Sequence, residues 1–378
     1  MLFLGTENRI YLSFDSGDHW QPFINNLPPS PMYGIVVQEN FNDLVIGTYG
    51  RGFWIMDDLT PLQQLTDDVR ASSAHLFRPR DAYRFNQRTA PAAMTTDMSQ
   101  GTNPPKAAYI NYWLGEAAAG SPVTVTVSDA SGALVRTLEG TTEAGINRVF
   151  WDFEGENSTP FRMRVPPLYA DWVDYGPERV RVQNGMSLRH PPGTYTVTLE
   201  VGGEQFSQEL IVLKDPNSDG TTASIRAQFA AMEEIRNDLD ATADAVNRIE
   251  WLRRQLYDLV DVLESQGGSE DLVNGAGALD QSLITIEEEL IQLRNTGTGQ
   301  DGVRYPAKVA GKLRHLGNGT GTADFQPTDQ QGEVQVLIRV ILMNARGELD
   351  ALLESDLATF NRLLVERGLN PLISDDGL

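Results

Sequence analysis

The spacing of apolar residues changes character near residue 215, and that change constrains the fold more than any other feature of the chain. Before it, apolar positions come in short runs or alternate with polar ones, as in Tyr195-Thr-Val-Thr-Leu-Glu-Val201. That is the period of a half-buried strand. From Ile225 onward they recur at steps of three and four, through Phe229, Met232, Ile235, Leu239, Ala243, Val246, Ile249, Leu252, Leu256, Leu259 and Leu263. That is one face of a helix, and no proline interrupts it. A chain of 378 residues also exceeds what a single core usually organises. The sequence is therefore read as multidomain, α and β, with β domains first and a helical domain over 221–378.

Within the first 65 residues the short apolar runs Leu2–Leu4, Ile10–Phe14, Ile35–Val37, Leu44–Gly47 and Phe53–Met56 read as strands of one sheet. Residues 66–105 hold a candidate short strand at Ala74–Phe77 and otherwise no sustained periodicity, and are assigned as a linker. Over 106–214 the strands Tyr109–Leu114, Val123–Ser128, Leu134–Leu138, Asn147–Phe153, Gly193–Val201 and Gln205–Leu213 predict a β-sandwich of about 100 residues. Gly202-Gly203 supplies a hairpin turn, and the Pro- and Arg-rich segment 157–192 is an insertion. In the helical domain a second helix is expected near Leu279–Leu293 and a short one at Ala307–Leu316. A third is expected after Pro327, opened by a Thr328/Gln331 capping box. Long helices with single apolar stripes must pack on one another, so an antiparallel bundle follows.

Charge narrows the partners. The chain carries 30 basic and 52 acidic residues, a net charge of −22. Such a surface repels phosphate backbones and anionic membranes, and no apolar run approaches the length of a membrane span. The absence of cysteine removes disulfides, thiolate metal sites and a cysteine nucleophile, and leaves the compartment open. Met1–Glu7 has neither the basic nor the apolar stretch of a signal peptide. It reads as the interior of a strand, the expectation being that the chain is a fragment.

Two motifs carry the most information. Ser13-Phe-Asp15-Ser-Gly17-Asp-His-Trp20 fits S-x-D-x-G-x-x-W, a hairpin turn. There the Asp carboxylate accepts backbone N–H bonds, Gly17 takes a left-handed conformation and Trp20 packs under the sheet. Gly47-Thr-Tyr-Gly50-Arg51-Gly52-Phe-Trp54-Ile-Met-Asp57-Asp58 reads as a strand-closing turn, with Arg51 pairing to a local carboxylate. Together they resemble the last blade of bacterial sortilin-like, BNR-repeat (Asp-box) β-propeller proteins, often labelled glycosyl hydrolases. Downstream, Asn111-Tyr-Trp-Leu114, Gly145–Asp152 and Pro191–Tyr195 are similar to the immunoglobulin-like domain that follows such propellers, itself similar to one in flagellar hook-capping proteins. Asn295–Asp301 and Phe325–Gln331 look like loops of the family's helical tail. One departure is Tyr49, where the family often has His.

The resemblance implies a partial β-propeller blade over 1–65, an immunoglobulin-like β-sandwich and a C-terminal helical bundle. It also implies an extracytoplasmic (secreted or periplasmic) location. The function expected is non-catalytic: a binding or scaffold portion recognising a protein or glycan. Two alternatives stand beside it. One is a part of a glycoside hydrolase or peptidase whose active site lies on other blades. The other is an assembly protein that dimerises through its helices or a blade edge. One blade cannot supply the arginine cluster, nucleophile and acid of a sialidase, and acidic pairs such as Asp57-Asp58 and Glu287–Glu289 read as turn or surface carboxylates. His19, His75, His190 and His315 are scattered, so neither a metal site nor a cofactor is expected. The best candidate recognition surface is Phe161, Arg162, Arg164, Tyr169, Trp172 and Tyr175 of the insertion, because interface cores favour rigid aromatics and arginine. The competing reading has them packing the insertion onto the sandwich or the helices.

Overall fold

The computed structural model describes residues 1–85, 103–169, 179–181, 185–265, 269–294 and 301–374. It is a mixed α and β chain with several antiparallel sheets followed by helices. The chain forms two compact units, Met1–Gly155 with His190–Ser218, and Glu156–Arg189 with Asp219–Leu378.

The first unit opens with two small antiparallel sheets. β1 (Leu2–Gly5), β2 (Ile10–Ser13) and β3 (Gln21–Pro22) form one, in the order β1-β2-β3. β4 (Met32–Gln38), β5 (Asp43–Thr48) and β6 (Phe53–Met56) form the other, in sequence order. Alternation sends Phe3 and Ile10 from the first sheet, and Ile35, Leu44, Ile46, Trp54 and Met56 from the second, into a shared core. Two short helices, α1 (Thr60–Gln63) and α2 (Asp67–Ala71), follow. Leu59 and Leu62 beside them complete that core, and Thr66 caps α2 by accepting from the Val69 N–H at 3.3 Å.

The rest of the unit is a two-sheet sandwich. Its strands are β7 (Ala74–Leu76), β8 (Ala82–Arg84), β9 (Ala108–Leu114), β10 (Val123–Ser128), β11 (Leu134–Glu139) and β12 (Gly145–Trp151). A five-stranded sheet, β11-β10-β15-β16-β8, is completed by two later strands, β15 (Gly193–Val201) and β16 (Glu204–Lys214), and faces the three-stranded β12-β9-β7. The core between them holds Tyr112, Trp151, Val125, Val197 and Leu199. Its polar atoms are satisfied locally: the Trp151 indole donates to the Glu154 carbonyl at 2.9 Å and the Tyr112 hydroxyl to the Thr141 carbonyl at 2.5 Å. The segment read as a linker departs from expectation. Residues 74–84 are not free chain, because β7 pairs with β9 and β8 pairs in parallel with β16. β7 falls on the candidate strand at Ala74–Phe77, whereas β8 is only three residues long, too short for alternation to register in a sequence.

The insertion also departs from expectation. β13 (Phe161–Met163) and β14 (Arg179–Arg181) pair with each other, and residues 156–189 belong to the helical unit rather than to the sandwich. The physical reason is a row of acceptors along α3 (Thr222–Ser265). Asp240 accepts from the Thr159 N–H at 2.6 Å and Asn247 from the Arg162 N–H at 2.7 Å. Glu250 accepts from the N–H groups of Arg164 and Val165. A segment without a full sheet of its own thus finds partners for its backbone donors on a helix.

That helix has 44 residues, about 66 Å of rise, and its predicted stripe is the buried one. It packs with α4 (Glu270–Leu290), with α6 (Val309–Thr320), which follows the single turn α5 (Asp301–Arg304), and with α7 (Asp329–Leu352). A π-helical turn at Leu353–Leu357 leads into α8 (Ala358–Glu366). The capping box at Thr328 and Gln331 is present with both reciprocal hydrogen bonds. Gly220 enters α3 so close to Asp324 that a Cβ there would overlap the Asp324 carbonyl oxygen. No helix among the described residues is long and apolar enough to cross a membrane.

Candidate functional site

The Asp-box turn is built as a staple. Ser13 donates to Asp15 Oδ1 at 2.8 Å and accepts from the Gly17 N–H at 2.8 Å, while the His19 N–H donates to Asp15 Oδ1 at 2.9 Å. His19 Nδ1 lies 2.6 Å from Asp15 Oδ2. These bonds hold the Asp15 carboxyl well below the usual carboxylate range, because each favours the ionised form. Ser16 and Gly17 both have positive φ, 63° and 106°. Trp20 differs from expectation. It is 38% exposed and lies near Gly17 rather than under the sheet. The two-residue strand β3 ends too soon to give it a face to pack beneath.

The strand-closing turn carries a second network. Gly50 and Gly52 have φ of 75° and 73°, and Trp54 donates its indole N–H to the Arg51 carbonyl at 3.0 Å. Arg51 is exposed, and its guanidinium makes no ion pair among the described residues, contrary to the expected local pairing. The two glycines turn the loop tip away from the acids that follow. Those acids point into the first unit instead. Asp58 is fully buried with φ of 61°. It accepts from Asn111 Nδ2 at 3.0 Å and from the Thr60 N–H at 3.1 Å, with Arg80 Nε 3.8 Å away. Arg148 donates to Asn111 Oδ1 at 2.7 Å and to the Asp57 carbonyl at 2.9 Å. Both arginines lie over the ring of Tyr109. Burial, with Asp43 nearby, raises the Asp57 pKa, and burial near Asp57 pushes Tyr109 up to about 12. The Asp57-Asp58 pair is therefore a joint between the β4–β6 sheet and the sandwich. In it the Asp58 carboxylate is occupied by Asn111 and by the Thr60 backbone.

The insertion residues divide. Phe161 and Arg164 are buried against α3 and so present no accessible surface, and Arg164 lies over Trp251. The Arg162 backbone is tied to Asn247. Tyr169 is exposed and donates to Glu288 at 2.8 Å, with Arg294 over its ring. Trp172 and Tyr175 lie outside the described residues. What the structure gathers here is packing onto the helices.

Sequence reasoning missed a buried charged cluster in the helical unit. Arg253, Glu250 and Glu287 are all buried within the helical unit. Arg253 contacts Asp280 Oδ1 and Glu287 Oε2, both at 2.8 Å, and approaches Glu250 Oε1 at 3.5 Å. The Glu250 and Glu287 carboxyls thus approach the same guanidinium group. Burial, then the Glu250 charge, raises the Glu287 pKa well above its ordinary value. The i,i+3 spacing of Glu250 and Arg253 was visible in the sequence, but nothing in it marked Glu287 as their partner. Among the described residues no group of three or more potential ligands is placed to hold a metal ion.

The remaining distinctive surface is apolar. Val36, Val45 and Ile55 stand in register across β4, β5 and β6, as do Gly34, Gly47 and Phe53. This face points away from the shared core, leaving Phe53 83% and Ile55 62% exposed. On the other sheet Leu2 and Leu4, opposite Ser13 and Tyr11, are also exposed and face outward. Comparison with known proteins finds no matching family model, no matching curated protein and no matching solved structure.

Proposed function

We propose that this chain is a non-catalytic binding and scaffold portion of an exported sortilin-like propeller protein, in which β1–β3 and β4–β6 are parts of adjacent blades. The observation that carries the reading is the apolar character of both outer sheet faces. A sheet with one face in water alternates apolar and polar residues, whereas a sheet covered on both faces is apolar throughout. β4–β6 is of the second kind. Its inner face meets β1–β3, and its outer face presents Val36, Ile55 and Phe53 to solvent. The Asp-box staple and the Asp58 joint support the same reading. The first rigidifies a hairpin, and the second fastens the blade to an immunoglobulin-like sandwich. In this arrangement further blades cover both outer faces, and recognition of a protein or glycan falls to the completed propeller.

The experiment is a hydrolysis assay of the purified chain on chromogenic glycosides and fluorogenic peptides. No turnover above buffer is expected. Turnover that disappears in an Asp57→Asn or Asp15→Asn variant of unchanged thermal stability would overturn the reading.

A further inference from the structure

Helix α7 carries two faces, and only one is used within its unit. Gln335, Ile338, Leu342, Ala345, Leu349 and Leu352 are buried, at the alternating steps of three and four that define one helix face. On the opposite side Val336, Val340 and Met343 form an exposed ridge, flanked by Leu337. Leu337 and Met343 are each 66% exposed. Isolated exposed apolar residues need no explanation, but four contiguous ones on a helix mark an interaction surface.

Beside the ridge lies its complement. A groove of about 370 Å³ runs between α6 and α7, walled by Leu316, Val334, Leu337 and Ile341, with Lys312 and His315 on its α6 side. A ridge and a groove side by side on one surface satisfy the condition for a two-fold contact, since each copy can place its ridge in the other's groove. We infer that α7 pairs antiparallel with α7 of a second copy of this chain, ridge into groove, with Val340 near the two-fold axis.

Three observations select a second copy as the occupant. First, charge: the chain has a net charge of −22, so two copies repel almost everywhere, yet residues 334–345, VQVLIRVILMNA, contain no acid. The one charge there, Arg339, is engaged with Asp238 at 2.9 Å and with Glu234 at 3.2 Å. Second, backbone: Gly332 and Gly347 lie eight residues before and seven after Val340, and a Cβ at either would meet nothing within 4 Å. Exposed helical glycines are less favourable than alanine. Placed at both ends of the ridge, they allow two helices to approach closely. Third, sign: the groove presents the basic Lys312 and His315, and the α7 that enters it carries Glu333 beside its ridge. Contact over about four turns, roughly 22 Å, together with the groove walls, buries on the order of 1,000 Å² in total, the lower limit of a specific interface. The dimer is accordingly weak, with a Kd in the micromolar range.

Helix α7 offers this surface whatever covers the sheets, so the test separates the two readings. Sedimentation velocity of the full chain over roughly 1–100 µM, a range that brackets an interface of this size, is expected to show a monomer–dimer equilibrium. Val340→Glu is expected to leave monomer throughout, with an unchanged melting curve at 222 nm because the position is exposed. A cross-link gives a second measurement in a chain without cysteine. Val340→Cys is expected to form a disulfide-linked dimer on mild oxidation. Val336→Cys, which faces Met343 of the other copy, is expected to stay monomeric. A parent chain that is monomeric over the whole range, a dimer that persists in Val340→Glu, or a cross-link through Val336→Cys instead of Val340→Cys would each overturn the pairing.

Discussion

Replacing Arg253 with Met removes a buried cation that contacts Asp280 and Glu287 and approaches Glu250, and the geometry sets the size of the effect. Two hydrogen bonds of 2.8 Å are lost, to Asp280 and Glu287. Each charge-assisted bond contributes about 1.5–3 kcal/mol. Glu250 and Glu287 are left buried with their countercharge gone, whereas Asp280 is partly exposed and regains water. The net cost is about 3–4 kcal/mol, within the range for breaking one side of a buried pair. Urea unfolding at 222 nm reads this unit directly, because its long helices dominate that signal. With a slope of about 2 kcal/mol/M, the midpoint falls by about 1.5–2 M. The double variant Arg253→Met/Glu287→Leu removes a stranded carboxyl as well and recovers part of the loss. A midpoint shift under about 0.5 M would refute the view that Arg253 holds these helices through buried charge.

Other substitutions probe the remaining networks. The raised Glu287 pKa means that the folded state holds a proton the unfolded state releases above the ordinary value of 4.5, so stability falls as pH rises through that window. Glu287→Gln, which cannot ionise, flattens this fall in denaturation measured as a function of pH, and an unchanged slope would contradict the raised Glu287 pKa. Asp58→Ala loses the Asn111 and Thr60 bonds and leaves φ of 61° to a residue without the polar side chain that tolerates it. It costs about 2–4 kcal/mol in the melting of the first unit, read by tryptophan fluorescence, with Asn at this position costing less because it tolerates the left-handed conformation. Gly220→Ala forces α3 away from Asp324 and lowers stability by about 1–3 kcal/mol, measured by the same urea titration.

The legible part of the fold follows from what a periodicity can carry. Val123–Ser128 and Gly193–Val201 begin and end where alternation places them. The α3 stripe and the Thr328 capping box are equally local signals and fall where expected. What escaped were decisions made by distant partners. β8 is three residues long and exists because β16 offers an edge. The insertion joined the helices because Asp240, Asn247 and Glu250, spaced along one side of α3, accept its N–H groups. Of the site residues, Asp15 and Gly17 behave as their motif requires. Trp20 and Arg51 were misplaced because exposure depends on neighbours that a motif does not contain, whereas Phe161 and Arg164 fall where the competing reading, packing onto the helices, put them. The exposed ridge of α7 was hidden for a related reason. Its apolar residues merged with the buried ones into a single hydrophobic stretch, and only packing divides the two faces.

The central claim is that the outer face of β4–β6 is covered by another sheet in the intact assembly. The chain has no cysteine, so an Ile55→Cys variant expressed in the source cells carries one thiol, in the middle of that face. Maleimide labelling is then compared between the purified chain and gently lysed cells. Covered by a further blade, the thiol reacts at least about tenfold more slowly in the lysate than in the purified chain, as expected for a strand buried on both faces. Equal rates in the two samples would mean that the face is open to water in its native setting, and the scaffold reading would fall.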